Sequence, residues 1–377
     1  MLTEPKLPDP RLEQDLFHKL HSQLILEAVE SSGLRCTGRM MQLNSMENRV
    51  YSIEIEQEDV TVKPKQVIVK FYRPGRWTAN EIMSEHMLQA VLCEENIPTP
   101  RFIPVVQKQF QAFSQAELDA RISKKTHAHF KMPTSLGKTG EFFFCIWEKV
   151  AGKAPLELDP AHLREIGSTV GRMHNLFESA LDKSLFERPI LSTQYYGEKP
   201  LAALHKWGKI PRPLDIPLLN RAEQIVKGLE WVNTCIEFIP THGDLHRLNL
   251  MQTQDNGNFW FVDFDDSMWA PDIQDLWLLA SGCDQPPQDH KTSAELALEL
   301  LLEGYQDFRS MPSGEETLVE PLRTLRMIYY MGWIASRWHD PLFRDTFGFF
   351  NEFSYWERAL ADLEKQYEVL EKEGLLI

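Results

Sequence analysis

The sequence predicts an α+β protein with two lobes, a small antiparallel β lobe followed by a larger, mainly helical lobe, with a cleft between them. Runs rich in β-branched, aromatic or alternating residues lie in the first part of the chain, at 39–43, 49–55 and 66–72. Beyond residue 150 the pattern changes to long segments with apolar residues at helical spacing. We therefore assign residues 1–149 to the β lobe and residues 150–377 to the helical lobe.

The remaining elements follow from capping residues and periodicity. A helix is predicted from Thr78 to Glu94, because Thr78 can cap its first turn and apolar residues recur at helical spacing. Further strands are predicted at 102–106 and 141–147, and the long polar stretch 107–140 between them is predicted to be an insertion. The long helical segments of the second lobe are predicted at 161–178, 218–237, 292–308, 320–338 and 355–373.

The composition indicates a folded protein with neither a nucleic-acid nor a membrane partner. Of the 377 residues, 43% are hydrophobic, which is enough for two lobes with a substantial core. The formal net charge of −15 disfavours contact with nucleic-acid phosphates and with membrane surfaces. The five cysteines form no Cys-x-x-Cys pair, and no apolar run resembles a signal peptide or a membrane span. A reducing cytoplasm is the expected location.

The segment Thr-His-Gly-Asp-Leu-His-Arg-Leu-Asn-Leu at 241–250 is the most informative part of the chain. Phosphoryl transfer of the kinase type needs acid or amide side chains to hold Mg²⁺ and a separate carboxylate to orient the acceptor hydroxyl. Asn249 follows Asp244 by five positions, which is the spacing of the protein-kinase catalytic loop. Asp263 ends a strand-like run after the turn signal at 255–258, so a hairpin would bring it to Asn249. Ordinary turns require no such spacing, and we expect these three residues to form a phosphoryl-transfer site.

A second charged group comes from the β lobe. Lys70 closes the run Val-Ile-Val-Lys, which is similar to the protein-kinase strand whose lysine binds the ATP phosphates and pairs with a helix glutamate. Glu85 on the following helix is the favoured partner, and Glu81, one turn earlier, is the alternative. A lysine at a strand end is by itself usually a solvated edge charge. Beside Asn249 and Asp244 of the segment 241–250, which we call the catalytic segment, and beside Asp263, Lys70 is expected to bind phosphate.

The segment 44–48 lies where protein kinases carry a glycine-rich loop, but it contains no glycine. Backbone amides therefore approach a phosphate less easily. Ser45 and Asn48 could donate from their side chains instead, or the segment is a plain polar hairpin turn. Residues 148–150, which connect the two lobes, are expected to offer main-chain groups to adenine.

Several other polar residues near these groups have two interpretations. His246 could neutralise charge in the transition state or bond the loop backbone, whereas His242 is expected to support the hairpin. Asp275 is expected to accept backbone N–H groups of the catalytic loop, because a buried carboxylate needs such partners. Asp265 and Asp266 could contact a second metal ion, although a solvated acidic turn is the simpler interpretation.

A function from a different class is a metallohydrolase, of which His242-x-Asp244-x-His246 would be a fragment. Such a site needs further histidine or carboxylate ligands and a metal-bound water. It would also leave Lys70 without a task, so phosphoryl transfer is the stronger prediction.

Several blocks of the sequence resemble known families. The box His-Gly-Asp-x-His-x-x-Asn at 242–249 is similar to that of the aminoglycoside phosphotransferase and choline kinase superfamily, which has a protein-kinase-like fold. More closely, further blocks resemble the bacterial stress response kinase A family; they are residues 43–51, 69–78, 261–266, 271–277 and 329–338. The resemblance therefore covers most of the chain.

This resemblance implies a bilobal protein-kinase-like fold and an ATP- and Mg²⁺-dependent serine/threonine protein kinase. It further implies a cytoplasmic monomer that acts on a protein substrate in stress response and protection from cell death. It implies Asp244 as proton acceptor and Asn249 and Asp263 as Mg²⁺ ligands, with Asp263 also catalytic. Ser45 is implied as an ATP contact. Lys70 and Glu85, predicted above from the protein-kinase strand, complete the ATP side. The alternative is a kinase of a small alcohol of the choline, homoserine or aminoglycoside type, which shares every catalytic residue.

Two features depart from the family pattern. Arg247-Leu248 stands where relatives usually have a small residue and glycine, or Pro-Gly, so the catalytic loop carries added bulk and charge. The insertion at 107–140 is longer than the usual hairpin of the family. The insertion bears on the specificity for a protein substrate or partner, whose identity the sequence does not specify.

Overall fold

The computed structural model describes residues 16–57, 65–106, 134–180, 186–234, 237–253, 257–283 and 293–377. The chain forms two compact units. The first, which we call the sheet unit, consists of Leu20–Ile190 and Glu237–Glu316; the second, the helical unit, consists of Met1–Lys19, Leu191–Ile236 and Thr317–Ile377. Every residue of the predicted site belongs to the sheet unit.

The described strands are β1 Cys36–Leu43, β2 Arg49–Ile55, β3 Lys65–Phe71, β4 Gly137–Thr139, β5 Phe142–Glu148, β6 Gly152–Lys153, β7 Ile239–Thr241, β8 Leu250–Thr253, β9 Phe259–Phe261 and β10 Met268–Ala270. The described α-helices are α1 Ser22–Glu30, α2 Ala79–Glu94, α3 Pro160–Ala180, α4 Lys199–Trp207, α5 Arg212–Gly228, α6 Ile273–Ser281, α7 Ser293–Tyr305, α8 Val319–Ser336, α9 Pro341–Thr346 and α10 Phe353–Lys372.

The first five strands form an antiparallel sheet with the order β1-β2-β3-β5-β4. The three strands predicted at 39–43, 49–55 and 66–72 are confirmed as β1, β2 and β3, with ends shifted by at most a few residues. In this register Lys70 lies opposite Val50 on one neighbouring strand and Cys145 on the other. The central position of β3 buries the lysine side chain within the sheet unit.

The predicted strand at 102–106 is wrong. Phe102 forms an isolated bridge with Trp147, and Ile103 donates to the carbonyl of Ile146, but no strand continues beyond them. Pro104 has no N–H to donate to the ladder, which explains why the pairing stops. Strand β4 lies inside the stretch predicted as an insertion, of which residues 107–133 fall outside the described part of the chain.

Helix α2 carries one side of the site. Its start at Thr78 is confirmed, because Thr78 accepts from the backbone of Glu81 while the Glu81 side chain accepts from the Thr78 backbone. Its side chains from Ile82 to Leu92 are all buried, including that of Glu85. A carboxylate in such a position requires a partner, because an unpaired buried charge is strongly unfavourable.

The rest of the sheet unit supports the catalytic segment. Strands β6, β8 and β9 form one small sheet, and β7 pairs with β10 in another. Helices α3 and α7 pack so closely that a Cβ on Gly304 would lie 1.9 Å from the carbonyl oxygen of Arg164. Only a glycine permits this approach of the two backbones.

The helical unit contains α4, α5, α8, α9 and α10. Its core is aromatic, with the rings of Trp207, Phe350 and Trp356 in mutual contact at centroid distances of 4.7 to 5.6 Å. Nowhere in the described ranges is there a helix with the length and apolarity needed to cross a membrane.

The helix predicted at 218–237 is wrong in its bounds. Helix α5 begins at Arg212 and ends at Gly228, and a short 3₁₀ turn follows at Glu230–Asn233. The prolines near its start obscured this beginning in the sequence. Pro213 is tolerated because it lies in the first helical turn, where the N–H groups have no partner within the helix, whereas Pro217 lies further along, inside the helix.

Candidate active site

The hairpin of β8 and β9 brings Asn249 and Asp263 to the same end of one small sheet. Leu250 pairs with Phe261, and the backbone N–H of Val262 donates to the carbonyl of Asn249 at 3.0 Å. The amide nitrogen of the Asn249 side chain donates to the backbone carbonyl of Asp244 at 2.9 Å. Its amide oxygen therefore remains available. Residues 255 and 256 of the predicted turn lie outside the described part of the chain.

Asp263 has an unusual backbone. Its φ of 64° lies in the left-handed region, which non-glycine residues seldom adopt. This conformation ends the strand and begins the 3₁₀ turn Phe264–Asp266. The carboxylate of Asp263 is 55% exposed and lies 3.7 Å from Lys70 Nζ. Such strain is found where the surrounding structure holds a functional group in one direction.

Lys70 is held by carboxylates. Its Nζ lies 2.8 Å from Glu85 Oε1, 3.3 Å from Asp265 Oδ1 and 3.7 Å from Asp263 Oδ1. Burial opposes the charge of Lys70, but Asp265, Glu85 and Asp263 together raise its pKa above the usual value. Burial raises the pKa of Glu85 to about 7, against the opposite effect of Lys70. The structure thus pairs Lys70 with Glu85, whereas Glu81 caps helix α2.

The prediction that Asp265 belongs to a solvated acidic turn is wrong. The residue is 3% exposed, and its carboxylate accepts from Lys70, from the Asn48 side-chain amide and from the guanidinium of Arg76. Burial would raise its pKa, but the cations of Lys70, Arg76 and Arg188 lower it well below the usual value. Asp265 is therefore a charged residue inside the site.

Asp266 differs from its neighbour. It pairs with the second terminal nitrogen of Arg76, and its side chain is 30% exposed. Burial raises the pKa of Asp266 to about 6, in spite of Arg76. Arg76 and Arg188 were not predicted to belong to the site. Arg76 lies in the block 69–78 that resembles the stress response kinase A family, but it was given no role, and Arg188 lies in none of these blocks. Asp265 could have been suspected from its place two positions after Asp263.

The segment 44–48 has a definite structure. Ser45 Oγ accepts from the backbone N–H of Asn48 at 3.3 Å. The side chain of Asn48 donates to Asp265 and accepts from the backbone N–H of Arg73, so it is not directed to a phosphate as the sequence suggested. Ser45 lines the adjacent cavity.

A cavity of about 440 Å³ joins these groups. Lys70, Asn249 and Asp263 lie along its wall together with Ser45. The lining also includes apolar side chains and the connector, among them Val50, Ile68, Met251, Val262 and residues Trp147–Val150. A planar, apolar base and a charged phosphate chain match these two parts of the cavity.

The catalytic segment rests on Asp275, as predicted. This fully buried carboxylate accepts from the backbone N–H groups of His242 and Gly243, both at 2.8 Å, and lies 3.1 Å from His174 Nε2. Burial opposes its charge, but His174 and these backbone donors lower the pKa of Asp275 below its usual value. The carboxylate thereby orients the turn that precedes Asp244.

We expect Asp275→Ala to lower the free energy of unfolding by about 2 to 6 kcal/mol, because it leaves two buried N–H groups without an acceptor and each costs roughly 1–3 kcal/mol. Urea denaturation measures this difference. Asp307→Ala, at an exposed position, is the control and should change stability little. A loss below about 1 kcal/mol for Asp275→Ala would contradict the assignment.

The histidines support the segment. His242 is buried, its Nε2 lies 3.0 Å from the carbonyl oxygen of Val262, and its ring packs against Phe264. His246 Nε2 lies 3.5 Å from Asp244 Oδ2. Because His242 is directed into the hairpin, the pattern His242-x-Asp244-x-His246 does not converge on one metal site.

The structure explains Arg247, the first of the two residues at 247–248 that depart from the family pattern. Arg247 donates to the backbone carbonyl of Leu156 and so fastens the segment between β6 and α3 to the catalytic segment. Leu248 is 68% exposed and lines the cavity beside Asn249.

A hard divalent cation fits this site. Such ions prefer oxygen ligands, and Mg²⁺ in kinases takes one or two protein ligands together with substrate phosphates. The half-exposed carboxylate of Asp263 and the amide oxygen of Asn249, to which no described residue donates, would supply them. Asp265 is a weaker candidate, because both of its oxygens already accept hydrogen bonds.

The chain belongs to the phosphotransferase enzyme family, whose model matches residues 41–312. Among individual relatives, it is 29% identical to stress response kinase A of Escherichia coli O157:H7 over 361 residues, which covers 95% of this chain and 96% of the relative. It is 26% identical to serine/threonine protein kinase RdoA of Salmonella typhimurium, with the same coverage of 95% and 96%. The match to the family establishes a kinase-type phosphotransferase.

Solved structures agree in fold. An amicoumacin kinase in complex with AMP-PNP, Ca²⁺ and its substrate superposes with a TM-score of 0.65 at 18% identity, covering 93% of each chain. A microcompartment-associated aminopropanol kinase has a TM-score of 0.63 at 16% identity, covering 93% of this chain and 98% of the other. The prediction of a bilobal protein-kinase-like fold of the aminoglycoside phosphotransferase type is confirmed.

Proposed function

We propose that this protein is an ATP- and Mg²⁺-dependent serine/threonine protein kinase that acts in a stress response. The observation that carries the proposal is the convergence of Lys70, Asn249 and Asp263 on one cavity that is also lined by apolar side chains of β2, β3 and β8. The relative named serine/threonine protein kinase RdoA supports a protein acceptor, and the relatives named stress response kinase A support the biological context.

The residues divide into an ATP side and an acceptor side. Lys70, oriented by Glu85, would hold the phosphates, and Ser45 would contact them from the segment between β1 and β2. The main chain at 148–150 would recognise adenine. In this view residues 1–149 form the nucleotide-binding lobe and residues 150–377 the catalytic lobe. Asn249 and Asp263 would bind Mg²⁺, which supplies neutralisation of the phosphate charge when bound.

Asp244 would orient the acceptor hydroxyl. In the reaction a bond forms between the hydroxyl oxygen and the γ-phosphorus, and the bond from that phosphorus to the bridging β–γ oxygen breaks. The hydroxyl proton passes to the Asp244 carboxylate, and the displaced ADP keeps the electron pair. The Asn249 side chain contributes by fixing the backbone of Asp244.

We further propose that the protein works as a cytoplasmic monomer.

A small-molecule alcohol kinase is the second candidate. Solved structures of similar fold are named as kinases of amicoumacin, aminopropanol and choline, and their acceptors also carry a hydroxyl group. The catalytic residues serve either acceptor equally. The choice therefore requires a direct measurement.

We expect the protein to transfer radiolabelled phosphate from ATP to serine or threonine of generic substrates such as casein, in the presence of Mg²⁺. Parallel reactions with choline, homoserine and an aminoglycoside test the second candidate. Asp244→Asn is the control for a contaminating kinase. Turnover of one of these alcohols without protein phosphorylation would overturn the proposal of a protein kinase.

A further inference from the structure

The side chain of Asn48 joins three segments that are distant in sequence. It is 3% exposed, and its amide nitrogen donates to Asp265 Oδ2 at 3.0 Å across 217 positions of the chain. Its amide oxygen accepts from the backbone N–H of Arg73 at 3.1 Å. The segment 44–48 is thereby attached both to the turn after Asp263 and to the segment that follows β3.

The Asp265 carboxylate has a separate contact for each oxygen. Oδ1 accepts from Lys70 at 3.3 Å, whereas Oδ2 accepts from Asn48 and also from Arg76. The position of Asn48 is therefore linked, through one buried carboxylate, to the lysine that faces the cavity. Asp263 belongs to the same turn, two positions earlier.

A second contact holds the same segment. The guanidinium of Arg73 donates from Nε to the backbone carbonyl of Glu47 at 3.0 Å and lies 2.9 Å from the Glu47 carboxylate. The segment 44–48 is thus held at two consecutive residues, Glu47 and Asn48. In protein kinases glycine makes this loop pliable, whereas here side chains hold a glycine-free loop in place.

We propose that Asn48 is a positioning residue for the ATP phosphates. It holds the loop that carries Ser45 against Asp265, and through Asp265 it holds Lys70 at the cavity. This inference rests on the proposed function, because it assumes that the cavity receives ATP. It goes further because it assigns a positioning role to Asn48 and Asp265. The sequence alone suggests a phosphate contact for Asn48 and a solvated turn for Asp265.

The test is Asn48→Leu, which keeps the branching and the number of heavy atoms of the side chain and removes both hydrogen bonds. We expect its affinity for MgATP, measured by calorimetry, to fall about tenfold, the effect of losing a hydrogen bond to a charged group. Its affinity for adenosine should change less than about twofold, because the adenine part of the cavity does not depend on Asp265. A purely structural role would not separate the two ligands.

Asn175→Leu is the matched control. The Asn175 side chain also has one donated and one accepted hydrogen bond, to the Phe308 carbonyl and from Arg309, but it lies away from the cavity. The Asn175→Leu variant should have lower thermal stability but the same ratio of MgATP affinity to adenosine affinity as the wild type. Equal loss of both affinities in Asn48→Leu, or an unchanged affinity for MgATP, would overturn the inference.

A reciprocal exchange tests the link between the two residues. In Asn48→Asp the carboxylate of the new side chain faces that of Asp265. Adding Asp265→Asn restores one donor and one acceptor at this contact. The double variant should bind MgATP more tightly than Asn48→Asp alone; simple additivity of the two effects would contradict the coupling. Calorimetry needs no acceptor. If Asn48→Leu shows the expected loss of MgATP affinity while the wild type phosphorylates no protein, this inference is supported and the protein-kinase proposal is overturned.

Discussion

Asp244→Asn is expected to lower the rate of phosphoryl transfer by about 10²- to 10⁴-fold, the usual contribution of a positioned general base. The amide cannot accept the proton of the hydroxyl. MgATP should still bind with nearly the affinity of the wild type, because Lys70, Asn249 and Asp263 remain. Steady-state kinetics with saturating ATP measures the first effect, and calorimetry measures the second.

The separation of the two effects is what identifies the role of Asp244. Its backbone carbonyl accepts from the Asn249 side chain, and this contact is unchanged in Asp244→Asn. Asp307→Ala serves as a control, since it removes an exposed carboxylate elsewhere in the sheet unit. Activity of Asp244→Asn within a few fold of the wild type would exclude Asp244 as the proton acceptor.

Asp263→Ala is expected to lose the Mg²⁺-dependent part of ATP binding. Its carboxylate is half-exposed at the cavity, and its removal leaves the ion the Asn249 amide oxygen and the weaker candidate Asp265, whose oxygens already accept hydrogen bonds. We expect affinity for MgATP to fall at least about tenfold, which corresponds to roughly 1.4 kcal/mol of binding free energy. Calorimetric titrations with and without Mg²⁺ measure the change.

The control for this second prediction is adenosine. The apolar wall of the cavity is intact in Asp263→Ala, so adenosine should bind as it does to the wild type. If Asp263→Ala bound MgATP as tightly as the wild type, the metal assignment would be wrong. Loss of adenosine binding as well would indicate a collapsed cavity and would likewise remove the support for a metal ligand.

The candidate site residues that the sequence placed near one another, and that lie close together in the structure, are close in sequence or joined by one hairpin. Asn249 stands five positions after Asp244, and the hairpin of β8 and β9 places Asp263 beside it. Lys70 and Glu85 lie on a strand and the helix that follows it, 15 positions apart. Such contacts leave a signal in spacing and periodicity, because the geometry of strands and helices determines them.

The errors in the fold also have local causes. Proline ended the pairing after Ile103, and prolines at the start of α5 hid the true beginning of that helix. In each case the hydrophobic pattern alone does not show which backbone N–H groups need a hydrogen-bond acceptor. Whether a proline is tolerated depends on whether its missing N–H would have had a partner.

The catalytic segment, the lysine of β3 and the general α+β architecture were therefore determined by the sequence alone, through local spacing and hydrophobic periodicity. Only the tertiary structure decided that Asp265 is buried and that Asn48 and Arg76 bind it across 217 and 189 positions. The physical reason is that burial of a carboxylate depends on cations and donors from distant segments. Their approach has no counterpart in the local pattern of the chain.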